Sequence, residues 1–255
     1  MAKLSRDKKI GLALSGGAVL GAAHIGTLRA IEEAGIEIAC ISGTSIGGFV
    51  AAMYAFGISP DKMEEIVSGL DWFDAAGLSL SKYGLLDNER FGNVISRQIG
   101  DRDISEARIP LAIIAANIAN GEKVTIRSGP VAEAVRATSA IPGIFRPVER
   151  DGEMLIDGGA IENVPISPLR DMGADVVIAC DLISTQAFSR PEGIIEILLN
   201  SFHMALVQMA RQTMSGADIR IAPELSEFDL IDADQTPGLI KAGYRAASKS
   251  LSDYF

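Results

Sequence analysis

The chain has 255 residues, with 33 acidic against 23 basic side chains and a formal net charge of −10. That length suits one α/β domain with a large core. The acidity, and the lack of any basic cluster beyond Lys8-Lys9, exclude a nucleic-acid-binding class and strong electrostatic attachment to an anionic membrane, while transient apolar contact with a membrane surface stays open.

Lys3, Arg6, Lys8 and Lys9 precede an apolar stretch over residues 10–23, which superficially matches a signal peptide. Ser15-Gly16-Gly17 interrupts that stretch, and it continues into an amphipathic helix, so it is expected to belong to the fold. Residues 1–8 then form an N-terminal extension and 9–255 a single domain. No run of 18 apolar residues exists to span a bilayer. Cys40 and Cys180 close apolar runs at a spacing that fits no zinc motif, and read as reduced core thiols of a cytoplasmic protein.

The predicted elements alternate. Residues 9–14 read as a strand and 19–34 as a helix stopped by Gly35. A second strand over 36–41 leads through Gly43-Thr44-Ser45-Ile46-Gly47 into a helix ending near Gly57. Ser59-Pro60 opens another helix, with serine as N-cap and proline at the first helical position. Residues 71–84 scatter Trp72, Phe73, Leu78, Leu80 and Tyr83 without a period and read as a lid or a packed loop. Asp87 is expected to cap a helix to Ile99. Residues 111–119 and 123–127 read as strands joined at Asn120-Gly121, a hairpin signal. A helix over 130–137, a short strand over 153–156 ending at Asp157-Gly158-Gly159, a helix over 168–172 and a strand over 175–180 follow. A long helix over 193–216, a last strand over 219–221 and a closing helix over 238–250 complete the chain. The alternation predicts a three-layer α/β/α sandwich around a mainly parallel sheet, with its active site beyond the C-terminal strand ends.

Three segments at such strand ends carry chemistry. Gly43 to Gly47 has the G-x-S-x-G pattern of a nucleophile elbow between strand and helix, with Ser45 as nucleophile. Ser15-Gly16-Gly17-Ala18 opens a helix with free backbone N–H groups, which suits an oxyanion hole; it lacks the Gly-Lys-Ser/Thr ending of a phosphate-binding loop. Asp157-Gly158-Gly159 places a carboxylate at a strand end, although Asp-Gly is also an ordinary turn. A serine nucleophile needs a base. The two histidines are poorly placed: His24 lies in the first helix and His203 in the middle of the long one. Asp157, its proton affinity raised by burial, is the better base. A Ser-His-Asp esterase using His203 remains an alternative.

Four ordered blocks carry a resemblance to a known family. They are Leu12 to Gly17 with Gly21 to Gly26, Gly43 to Gly48, Ala137 to Pro147, and Asp157 to Pro165. Together they resemble the patatin-like phospholipase family over about residues 9–250. The resemblance implies a Ser45–Asp157 dyad without a catalytic histidine. It also implies an oxyanion hole around Gly16, Gly17 and Ala18, and hydrolysis of fatty-acyl esters of lipids through an acyl-enzyme. No metal or organic cofactor is implied, and His24 is read as structural. The chain departs from the family at Leu20, where Arg or Lys is usual, and at Ser15, where the first glycine is usual. The lost cation leaves room for a less phosphate-dependent substrate, or for a patatin-like lipid-binding or regulatory protein with little turnover. Arg136 and Arg146 are candidate replacements for it. Leu198, Leu199, Phe202, Leu206, Met209 and Met214 of the long helix could line an acyl channel or simply be core.

Overall fold

The computed structural model describes residues 7–69, 78–81, 84–86, 88–186, 188, 190–191, 193–230 and 232–255. Strand β1 (Ile10–Leu14) leads through a 3-10 turn at Ala18–Gly21 into helix α1 (Ala22–Glu33), and β2 (Ile38–Thr44) into α2 (Ile46–Ala55). Helix α3 (Pro60–Ser68) has the expected Ser59 cap, whose hydroxyl accepts from the Lys62 amide at 3.3 Å. Short strands β3 (Leu78–Ser81) and β4 (Gly84–Leu86) precede α4 (Glu89–Ile99). Next come β5 (Leu111–Asn117), β6 (Lys123–Ile126), α5 (Val131–Thr138), β7 (Gly143–Phe145), β8 (Val148–Arg150) and β9 (Glu153–Asp157). Helices α6 (Gly159–Glu162) and α7 (Ser167–Asp171), strand β10 (Val176–Cys180), the long α8 (Ile194–Thr213), β11 (Ile219–Ile221) and α9 (Thr236–Ser252) complete the fold.

The main sheet has the order β11-β10-β1-β2-β5-β9-β8, with β6 also paired to β5. Its first five strands are parallel, and β9, β8 and β6 join antiparallel. Strands β1, β5 and β10 are buried along their whole length. Helices cover both faces of such strands, which is why they read in sequence as unbroken apolar runs. Cys40 and Cys180 are free thiols buried in this sheet. Among the described residues no helix is long and apolar enough to cross a membrane.

Departures from the sequence reading have local causes. The first helix begins as a 3-10 turn, because Ala18 takes a left-handed φ of 50°. The β5–β6 hairpin needs a loop over 118–122, in which Gly121 has φ 75° and the Asn120 carboxamide oxygen accepts from the Glu122 amide. A second sheet, β3-β4-β7, was not foreseen, since strands of three or four residues carry no period to read. Trp72, Phe73, Tyr83 and Asp87 lie outside the described residues.

Helix α9 crosses α1 with backbones almost in contact. A Cβ on Gly243 would stand 1.9 Å from the Ala23 carbonyl oxygen, and one on Gly26 1.9 Å from that of Ile240. In an unpacked helix Gly→Ala would stabilise by roughly 1 kcal/mol. Here the clash with fixed backbone reverses the sign. Gly243→Ala is therefore expected to destabilise by about 1–3 kcal/mol, read as a lower denaturation midpoint at unchanged m-value.

Candidate active site

Adjacent parallel strands β1 and β2 end at Leu14 and Thr44, so the loops after them open on the same edge of the sheet. On the far side of β2, Thr44 pairs with Ile114 of β5, and the next β5 residue, Ala115, pairs with Asp157. Register alone thus brings Asp157 beside Ser45. Strand β9 runs antiparallel to β5, so Asp157 reaches the site from the opposite direction to Ser45.

Ser45 occupies φ 55°, ψ −129°, a conformation that costs a non-glycine residue roughly 1–3 kcal/mol and must be held by its surroundings. The flanking glycines make that possible by close approach. A Cβ on Gly43 would stand 2.3 Å from the Gly47 carbonyl oxygen, and one on Gly47 2.2 Å from that of Leu14. The Ser45 amide donates to Thr138 Oγ1 at 2.8 Å, and the Thr138 hydroxyl donates onward to the Ile114 carbonyl. The Ser45 carbonyl accepts from the Gly48 and Phe49 amides, which starts α2.

The Asp157 carboxylate is 1% exposed. It accepts from the Gly159 amide at 2.8 Å, and the Ser45 hydroxyl lies near enough to favour its ionised form. Burial pushes its pKa up to about 7 against the smaller opposing effect of these two donors. Gly158 lets this turn lie against β5, since a Cβ there would meet the Ile114 carbonyl oxygen at 2.3 Å.

The glycine-rich turn is fixed at both ends. The Ser15 amide donates to the Cys180 carbonyl at 3.1 Å, and the Ser15 hydroxyl accepts from the Leu182 amide at 3.1 Å. His24 Nε2 lies 2.8 Å from the Ser15 carbonyl, which can only accept, so Nε2 carries the proton. Complete burial lowers the His24 pKa to about 4 and keeps the ring neutral. His24 is thus a structural clamp on the turn. Of the three expected oxyanion donors, the Gly16 N–H already reaches the Asn163 carbonyl at 3.3 Å. The N–H groups of Gly17 and Ala18 have no hydrogen-bond partner among the described residues. Leu20 is fully buried in the core.

Among the described residues neither histidine hydrogen-bonds Ser45 or Asp157. His203 stacks on Phe188 with ring centroids 4.8 Å apart, and burial alone lowers its pKa. Arg136 is tied to Asn88, and Arg146 lies exposed. On α8, Leu206 abuts Gly159 and Leu198 abuts Gly143, so the helix runs along the rim of the site. Of the six side chains considered for an acyl channel, Met214, just past the end of α8, is core and Leu198 faces solvent, while Leu199, Phe202, Leu206 and Met209 are half-buried. Among the described residues no cluster of three or more His, Cys, Asp or Glu side chains could hold a metal ion. Sequence reasoning missed Thr138 and Asn163, although both stand in the blocks it singled out. Asn163 is fully buried beside Gly16 and Gly159.

Residues 12–170 match the family model for patatin-like phospholipase. A patatin-like phospholipase domain-containing protein of Caenorhabditis elegans is 33% identical over 196 residues, 73% of this chain and 14% of its own length. A lysophospholipase of Pyricularia oryzae is 30% identical over 246 residues, 91% of this chain and 16% of its own. An NTE family protein of Mycobacterium tuberculosis is 33% identical over 72% of this chain and 51% of its own. The chain therefore spans about half, or far less, of the lengths of these relatives. Among solved structures, VipD of Legionella pneumophila superposes with a TM-score of 0.68 at 15% identity, covering 97% of this chain and 67% of that one. The type III effector ExoU gives 0.54 at 15% identity, covering 96% and 53%. These two likenesses concern the fold; with the family match over residues 12–170, the chain belongs to the patatin-like phospholipase family.

Proposed function

We propose that the protein is a serine lipid-acyl hydrolase in which Ser45 is the nucleophile and Asp157 its base. The observation that carries this reading is the buried Asp157 carboxylate that the strand register sets beside Ser45, with burial bringing its pKa to about 7 and the Ser45 hydroxyl opposing that rise. A base titrating near operating pH balances availability against driving force. Asp157 takes the Ser45 proton as Oγ attacks the ester carbonyl. The free N–H groups of Gly17 and Ala18 stabilise the tetrahedral oxyanion, and Asp157 then returns the proton to the leaving alcohol. Water hydrolyses the acyl-enzyme in the second half-reaction. The lysophospholipases among the relatives support a lipid ester as substrate. Buried free thiols accord with a cytoplasmic setting.

Ile194, Ile197 and Met204 expose apolar surface on the helix whose Leu198 and Leu206 border the site. In the proposed activity this face makes transient contact with the surface of an aggregated lipid substrate. Against a chain of net charge −10, that surface is uncharged overall rather than anionic.

A fluorophosphonate probe should label the wild type and not Ser45→Ala. Absence of wild-type labelling, together with no turnover of short or long acyl esters, would overturn the proposal. Thr138→Val leaves the Ser45 amide and the Ile114 carbonyl unpaired, so it is expected to cost about 1–3 kcal/mol in stability and to slow labelling. Because the ionised carboxylate is the base, kcat/KM should rise with pH through a midpoint near 7. The same raised pKa makes Asp157 a stability liability, since the folded state holds a proton that the unfolded state releases. Its favourable contribution is complete below about pH 4 and is lost as pH rises through about 7. Asp157→Asn should abolish turnover yet melt above the wild type at pH 8, with the difference vanishing below pH 4. Introducing glutamate at Ile194 and Ile197 should lower turnover of micellar ester relative to soluble short-chain ester, read as a change in their ratio.

A further inference from the structure

Asn163 has no exposed surface, and neither its Nδ2 nor its Oδ1 has a hydrogen-bond partner among the described residues. Leaving a buried polar group unpaired costs about 1–3 kcal/mol, so a native fold that keeps one invites a polar guest to complete it. The location is specific. Asn163 Oδ1 lies 2.7 Å from the point that a Cβ on Gly16 would occupy, and Ser45 Cβ lies 3.1 Å from that same point. The corresponding point on Gly159 is 3.2 Å from Asn163 Oδ1 and 3.0 Å from Asp157 Oδ1. The carboxamide therefore stands where the nucleophile, the glycine-rich turn and the carboxylate converge.

Its backbone is held firmly. The Asn163 carbonyl accepts from the Gly16 amide, and the flanking carbonyls of Glu162 and Pro165 accept from the hydroxyls of Thr44 at 2.8 Å and Ser42 at 2.5 Å. Two side chains of β2 thus fix the segment that carries Asn163, close behind the strand that ends in the nucleophile. A residue so positioned and so lacking in partners is poorly explained by packing alone, because leucine would fill the volume without the polar cost.

The second half-reaction supplies a demand that matches. Once Ser45 Oγ is acylated it has no proton to offer Asp157, which accepts from the Gly159 amide. An incoming water can give one hydrogen to the freed carboxylate. Its other hydrogen needs an acceptor if its lone pair is to point at the acyl carbon. The Asn163 carboxamide offers one acceptor and one donor side, whichever way the amide is turned. We propose that Asn163 orients the water that hydrolyses the acyl-enzyme, sharing it with Asp157. This inference rests on the Ser45–Asp157 reading. In the step itself, the water oxygen bonds the acyl carbon and the carbon–Oγ bond breaks. One water proton passes to Asp157 and from there to Ser45 Oγ, and the acid leaves carrying the other.

Pre-steady-state hydrolysis of a p-nitrophenyl acyl ester separates the two halves. Asn163→Leu and Asn163→Asp are compared with the wild type, together with fluorophosphonate labelling of Ser45. Asn163→Leu should still label and still release a burst of nitrophenol stoichiometric with enzyme. It should then slow on the order of 100-fold, as misplacing a reactant does, with the acyl adduct visible by intact mass. Hydroxylamine, a stronger nucleophile than water, should relieve this block. Asn163→Asp keeps an acceptor in the same shape, so it should deacylate faster than Asn163→Leu, with its pH midpoint moved upward by the added charge beside Asp157. The proposal is overturned if burst and steady rate fall together, which would place Asn163 at the oxyanion. It is equally overturned if no adduct accumulates while turnover stays at the wild-type rate. A wild type that does not label at Ser45 removes the dyad itself, and this inference with it.

Discussion

A carboxylate held out of water against a serine hydroxyl is the contact on which the rest of this site depends. In water an aspartate titrates near 3.9 and is too weak a base to take a proton from serine. Burial at Asp157 raises that value to about 7, while the Gly159 amide and the nearby Ser45 hydroxyl keep the ionised form tolerable. The fold must therefore supply a pocket dry enough to raise the pKa and polar enough not to abolish ionisation. Parallel strands buried on both faces supply the dryness, and the turn at Gly158-Gly159 supplies the amide.

The second requirement is placement. Neither Ser45 nor the glycine-rich turn is in a relaxed conformation: Ser45 has φ 55° and Ala18 φ 50°. Both are locked by groups drawn from distant parts of the chain. Thr138 takes the Ser45 amide, His24 holds the Ser15 carbonyl, and Ser42 and Thr44 reach across to the segment after Asp157. In the proposed mechanism such anchoring keeps the free Gly17 and Ala18 amides oriented before substrate arrives, and electrostatic stabilisation depends on that preorganisation. His24 belongs to this scaffold because complete burial keeps its ring neutral, fit to donate to a carbonyl and unfit to carry charge.

Much of this was legible in the sequence. The alternation of apolar runs and amphipathic segments gave the succession of the main strands and helices along the chain, and glycines at Gly43, Gly47 and Gly158 mark places where a Cβ would strike a carbonyl oxygen. Close approach leaves a one-letter trace because only one residue type fits. The antiparallel direction of β9 left no such trace, since direction is set by connections and not by residue type. The roles of Thr138 and Asn163 were equally hidden: threonine and asparagine are ordinary turn and helix-end residues, and only their burial reveals what they hold. Gly16 shows the converse limit. Its motif suggested a free donor, but the amide is taken by the Asn163 carbonyl, a partner 147 positions away that no local pattern announces.

Leu20 sets the final constraint. The family's usual cation at this position would have to enter a site with no exposure at all, where an unpaired charge is prohibitive. Arg136 is engaged with Asn88, and Arg146 faces solvent. In the proposed mechanism the developing oxyanion then relies on the neutral dipoles of Gly17 and Ala18. Those dipoles are aimed at the oxygen on which charge develops during the reaction, and position 20 adds no cation for a phosphate. In the proposed activity such a site reads the ester and its acyl chain more than a charge on the headgroup. The half-buried apolar side chains of α8 along the rim are the surface against which that chain can be read.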